Sequence, residues 1–97
     1  MRIIARRTLV QFWERESQAE TALKDWFKKT EKAEWKTPAD IKDEYRSASF
    51  LANNRVVFNI CRNKYRLIVR INYNFDIVYI RFVGTHKEYD TINAETI

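Results

Sequence analysis

Arg55-Val-Val-Phe-Asn-Ile-Cys-Arg-Asn-Lys-Tyr-Arg-Leu-Ile-Val-Arg-Ile-Asn-Tyr-Asn-Phe-Asp-Ile-Val-Tyr-Ile-Arg-Phe-Val-Gly-Thr-His-Lys-Glu-Tyr-Asp90 is the stretch that decides the fold. Three β-rich runs are separated by two short polar turns. Successive side chains of a strand face opposite sides of a sheet. Val56, Phe58 and Ile60 therefore share one face of the first run, with Arg55, Val57 and Asn59 on the other. In the second run Tyr65, Leu67, Val69, Ile71 and Tyr73 form an apolar face against Arg66, Ile68, Arg70 and Asn72. In the third, Val78, Ile80 and Phe82 stand against Ile77, Tyr79, Arg81 and Val83. The run is expected to stop at Gly84, the only glycine, just before the only histidine, His86.

A one-residue slip would turn every side chain to the wrong face, so register is constrained. The turn Cys61–Lys64 sets Asn59 opposite Arg66 and Val57 opposite Ile68. The turn around Asn74–Asp76 brings Arg70 near Tyr79 or Arg81. One sheet face then carries Arg55, Arg66, Arg70 and Arg81, with Tyr79 among them. Basic residues beside an aromatic on one sheet face suit a phosphate backbone and its bases. The alternative is an ordinary solvated sheet face.

The rest of the chain supports one α+β domain over residues 1–97. Met1 to Ala5 read as an opening strand. Thr8-Leu9-Val10-Gln11 and Ser17-Gln18-Ala19-Glu20 both carry the capping-box signature, predicting helices from about Thr8 and Gln18. Ala19, Ala22, Leu23, Trp26 and Phe27 have helical spacing. The two helices form an N-terminal hairpin on one face of a small, mostly antiparallel sheet. Thr37-Pro38-Ala39-Asp40 predicts a third, short helix. A brief extended piece is expected at Phe50–Leu51, a turn at Asn53–Asn54, and one weak helical turn or a tail after Asp90.

Charge narrows the class of partner. The chain has a net charge of +5. Residues 31 to 54 hold four basic and five acidic residues, whereas 55 to 90 hold seven and three. Positive charge is thus concentrated on the sheet, which points to nucleic acid or an acidic protein surface. The single cysteine, Cys61, has no internal disulfide partner, which fits a reducing compartment. It reads as a catalytic thiol or as a small buried-edge residue. No apolar run reaches the roughly 20 residues of a membrane span. Met1 to Arg7 lack a signal-peptide apolar core. The expected location is the cytoplasm.

With the strands and Gly84-Thr85-His86-Lys87-Glu88-Tyr89-Asp90 in place, the sequence resembles the HigB toxins, a branch of the RelE-like messenger-RNA interferases of bacterial type II toxin–antitoxin modules. The likeness is strongest over Asn53–Ile60, Lys64–Ile71 and Arg81–Asp90. It implies a RelE-like fold and a ribosome-dependent endoribonuclease that inhibits translation by cleaving mRNA. It also implies a HigA-type helix-turn-helix antitoxin, through which the complex binds operator DNA. RelE-like toxins carry Gly-Tyr-Arg-Leu at a strand start; Tyr65-Arg66-Leu67 matches, with Lys64 in place of Gly. They also carry a basic residue two positions after a Val-Gly pair, and His86 follows Val83-Gly84 at that spacing. The other catalytic lysines of the broader family have no clean counterpart: Val57 and Asn59 occupy that strand. The family's C-terminal aromatic falls nearest Tyr89, which lies earlier.

RNA brings its own nucleophile, the 2′-hydroxyl, so metal-independent cleavage needs proton transfer and charge stabilisation rather than a ligand cluster. No cofactor or metal is expected. His86 is the candidate acid or base, since imidazole exchanges protons near neutral pH. Its spacing alone favours a histidine that merely ends a strand; the resemblance implies the catalytic role. Arg66 is placed on the scissile phosphate. Lys87 holds RNA or supplies a proton. Tyr89 stacks, transfers a proton, or fills the core. Glu88 and Asp90 read as orienting or capping partners. Arg55, Lys64, Arg70, Tyr79 and Arg81 are assigned to RNA binding; Arg70 and Arg81 would alternatively pair with carboxylates. Two other functional readings fit the basic sheet: a non-catalytic RNA- or ribosome-binding translation inhibitor, and a protein-interaction domain that docks an acidic partner.

Overall fold

The three runs form the centre of a five-stranded sheet. In a computed structural model, which describes residues 1–97, β3 (Arg55–Ile60), β4 (Tyr65–Asn72) and β5 (Ile77–Thr85) make an antiparallel meander. Strand β2 (Ser49–Leu51) extends it antiparallel beyond β3. Strand β1 (Arg2–Ile4) closes the other edge, parallel to β5. The order is β1-β5-β4-β3-β2. Helices α1 (Arg6–Arg15), α2 (Glu20–Lys32), α3 (Pro38–Glu44) and the single-turn α4 (His86–Tyr89) complete an α+β architecture of the RelE-like kind. No helix is long and apolar enough to cross a membrane.

The expected registers are present. Asn59 pairs with Arg66 and Val57 with Ile68, and Arg70 pairs with Tyr79. The inner face carries Val56, Phe58, Ile60, Tyr65, Leu67, Val69, Ile71 and Val78 into one core with Leu9 and Phe12 of α1 and Leu23 and Trp26 of α2. Two edge-to-face aromatic contacts fix the hairpin on the sheet. Phe12 lies 5.3 Å from Tyr65 and Trp26 lies 5.5 Å from Phe58, between ring centroids. Trp35 stacks on Phe58 at 6.1 Å, and Ile41 of α3 is fully buried in the same core.

Three expectations are corrected. First, β5 does not alternate throughout. Val69 pairs with Ile80 and Ile68 with Phe82, so Arg81 is an extra, bulged residue. Every residue beyond a bulge changes face. Phe82 therefore moves to the outer face, and Val83 becomes the residue that packs on the core. The strand also continues past Gly84 to Thr85, which pairs with Tyr65.

Second, the capping boxes expected at Thr8 and Ser17 do not cap. Helix α1 starts at Arg6 behind Ala5, with no side-chain cap, because β1 delivers the chain directly into it. Thr8 lies inside the helix. Ser17–Ala19 instead form a 3-10 turn that reverses the chain and buries Ala19 completely, and α2 starts only at Glu20. The third box is real: the Thr37 hydroxyl accepts from the Asp40 amide, the Asp40 carboxylate accepts from the Thr37 amide, and Pro38 opens α3.

Third, Cys61 is not buried at a strand edge. It is exposed in the β3–β4 turn, where Cys61, Arg62 and Asn63 all have positive φ, between 54° and 71°.

Candidate functional site

No long helix covers the outer face, where only the single turn of α4 sits at one end, and its side chains form rungs across three strands. One rung is Asn59–Arg66–Gly84, the next Val57–Ile68–Phe82, and the third Arg55–Arg70–Tyr79. The bulge sets Arg81 beside the third rung. Arg66 and Arg70 are four residues apart on β4, which is about 13 Å at strand rise. Two cationic stations are thus separated by an apolar rung.

At the first station the Arg66 guanidinium lies 5.8 Å from the Tyr89 ring centroid. This is within cation–π range. Arg66 is half-buried, and its Nη1 donates weakly to the Asn63 carbonyl at 3.4 Å. Its cross-strand partner, Gly84, leaves space that other groups fill. A Cβ there would stand 2.5 Å from the Phe82 ring and 3.1 Å from a Glu88 carboxylate oxygen.

Helix α4 begins two residues after Gly84 and is held by its own capping box. The Thr85 hydroxyl accepts from the Glu88 amide at 3.2 Å, and Glu88 Oε1 accepts from the Thr85 amide at 2.9 Å. Arg15 of α1 donates to the same carboxylate at 2.8 and 3.0 Å. The Thr85 amide, and then Arg15, hold the Glu88 carboxyl below its ordinary range. Its charge is therefore answered from within the helical side and does not neutralise Arg66. His86 and Lys87 open α4 and are exposed. His86 opens the turn that carries Tyr89 three residues later, and residues three apart on a helix are neighbours.

The second station holds Arg55, Arg70 and Arg81 around an open depression that Asn53 and Asn54 also line. Arg70 lies 5.9 Å from the Tyr79 ring. The protein's four ion pairs are Arg15–Glu88, Lys24–Glu20, Lys29–Asp25 and Lys36–Asp76. None of these pairs an Asp or Glu side chain with the face arginines. Burial, followed by repulsion from Arg81 and Arg70, lowers the Arg55 pKa from its ordinary value. Lys64 stands apart from both stations. Its Nζ bonds the Gln18 side chain in the 3-10 turn and lies over the Tyr65 ring, on the helix-covered side.

One occupant of this face had no signal in the sequence. Residues 91–97 leave α4 near the first station and reach the second. Arg55 Nη2 donates to the main-chain oxygen of Ile97 at 2.6 Å and Arg81 Nε to the same oxygen at 3.1 Å. Asn53 Nδ2 donates to the Glu95 carbonyl at 3.3 Å. The segment thus crosses the middle rung. Ile92, Ala94 and Ile97 are half-buried in it, and Val57 and Ile68 beneath are only 3% and 0% exposed.

A family model for the HigB toxin, described as the RelE-like toxic component of a toxin-antitoxin system, matches residues 19–92. The chain belongs to the HigB toxin family. A comparison with curated proteins finds none that matches. The matched span takes in both stations and α4, so this HigB-family chain is a toxin whose module includes an antitoxin partner.

Proposed function

We propose that this toxin is a ribosome-dependent endoribonuclease that cleaves translated mRNA, and that a HigA-type helix-turn-helix antitoxin neutralises it and links the complex to operator DNA. The observation that carries the reading is the first station: an arginine without a carboxylate partner, seated against Tyr89, with the only histidine opening the same helical turn.

The chemistry follows from those groups. A base removes the 2′-hydroxyl proton, the 2′-oxygen bonds to phosphorus, and the bond to the 5′-oxygen breaks. The leaving oxygen takes up a proton. The products are a 2′,3′-cyclic phosphate and a 5′-hydroxyl. Arg66 neutralises the charge that builds on the phosphate oxygens. His86 transfers one of the two protons. Lys87 or Tyr89 supplies the other or holds the neighbouring nucleotide. An open face orients a flexible strand poorly, and in-line attack requires orientation. A message already threaded through a ribosome would meet that need.

His86→Ala and Arg66→Ala test the assignment. Each variant is expected to abolish growth inhibition while its circular dichroism spectrum stays that of the wild type. A folded variant as toxic as the wild type would remove that residue from the mechanism.

A further inference from the structure

We propose that Arg55, Arg70 and Arg81 form a second phosphate site for the same RNA strand, and that the main-chain oxygen of Ile97 occupies it until RNA displaces it. The inference rests on the proposed function and adds to it a second point of grip and an internal competitor.

Four observations converge. Three guanidiniums share one depression, and no Asp or Glu side chain pairs with any of them. Like charges held together without an acidic side chain between them favour an anionic ligand. Arg55 Nε is buried with no hydrogen-bond partner, which leaves a donor at the site unused. Buried donors without partners are rare and costly. Finally, a single main-chain oxygen, that of Ile97, accepts from both Arg55 and Arg81, so two of the three guanidiniums already converge on one oxygen as they would on a phosphate oxygen.

The spacing fits a single strand. The stations are about 13 Å apart along β4. At about 3.4 Å per stacked nucleotide, that is at most about four nucleotides, and fewer for an extended strand. Between the stations, Phe82 and the surface now covered by residues 91–97 would meet the intervening bases, because aromatic and apolar surfaces accept stacked bases without sequence preference. An occupied site binds its competitor with affinity reduced by the fraction of molecules that are open. Segment 93–97 therefore weakens RNA binding while it is docked.

The test uses 2′-O-methyl RNA, which lacks the nucleophile, and reads affinity by fluorescence anisotropy across a salt series. A dinucleotide is too short to span both stations; an octanucleotide spans them. Arg55→Gln/Arg81→Gln is expected to weaken octanucleotide binding about tenfold or more and to reduce its salt slope by about 1.4, the value for two lost contacts on a single strand. Dinucleotide affinity should fall far less, because a single phosphate can still sit at the first station. Removing residues 93–97 should tighten octanucleotide binding about tenfold if the segment is docked about nine-tenths of the time. The same removal in the double variant should change nothing. Equal octanucleotide affinities for wild type and double variant would overturn the site. Weaker binding after the removal, or equal tightening in both backgrounds, would overturn the competitor. The nuclease reading fails separately: arginine-dependent and tail-dependent affinities in a protein that leaves transcripts uncut would keep this site and discard that activity.

Discussion

Gly84 shows how much a single position can carry. Its φ is not in the left-handed region, so the requirement is for space and not for backbone freedom. The Phe82 ring and Glu88 carboxylate both enter the volume a methyl would take. Gly84→Ala must push the ring aside and disturb the carboxylate that caps α4. Overpacking of this kind costs about 1–3 kcal/mol. We expect a lower melting temperature and reduced toxicity from Gly84→Ala, measured by thermal denaturation and growth; a variant equal to wild type in both would show that the space is slack. The sequence marked Gly84 as the end of a strand, the commonest meaning of an isolated glycine there. Its role as a hole under Phe82 depends on the bulge at Arg81, and nothing near Arg81 announces one. Ile80-Arg81-Phe82-Val83 offers an apolar residue at both 82 and 83, so either face assignment satisfies the core.

The helix that presents His86 is one turn long and is not stable alone. It persists because Thr85 and Glu88 cap it and Arg15 ties it to α1. Four Ser/Thr-x-x-acid/Gln signatures occur in the chain, at Thr8, Ser17, Thr37 and Thr85. Only the last two cap, since tertiary placement of β1 and the 3-10 turn decides the others. The Glu88 staple has a definite pH dependence. A carboxyl held below its ordinary value of 4.5 contributes stability that is complete above that value and is lost as pH falls through the lower folded value. The pair is more than a third exposed, so solvent screens it and the contribution is less than about 1 kcal/mol. Wild-type stability should therefore fall in the window below pH 4.5 more steeply than that of Glu88→Gln, followed by denaturant melts at a series of pH values. Parallel curves would mean that the ion pair contributes nothing.

The molecule divides its labour between two faces of one sheet. The inner face, with the helical hairpin, holds the fold; the outer face, with only the one-turn α4 at one end, holds the cations. Trp26 is 1% exposed and contacts Phe58 across the inner face. Trp26→Ala should cost about 3–5 kcal/mol and remove toxicity by unfolding, whereas Arg66→Ala should remove it with the fold intact. Thermal melts of both variants separate the two mechanisms. This division was legible from alternation in β3 and β4, where period-two patterning leaves one consistent choice of core face. The β3–β4 register followed for the same reason, whereas the bulge at Arg81 inverted the expected faces at the end of β5. The path of residues 91–97 was not legible: a short irregular segment has no periodicity, and its bonds to Arg55 and Arg81 are made through a main-chain oxygen, which leaves no side-chain signal in the sequence.

That the outer face grips and cuts RNA is tested most directly by mapping transcript 5′ ends after brief expression of the wild type and of Arg66→Ala. New 5′-hydroxyl ends inside translated regions are expected with the wild type. They should vanish with Arg66→Ala and when translation is blocked beforehand. Intact transcripts in cells whose translation has nevertheless stopped would contradict the account and leave a toxin that binds without cutting.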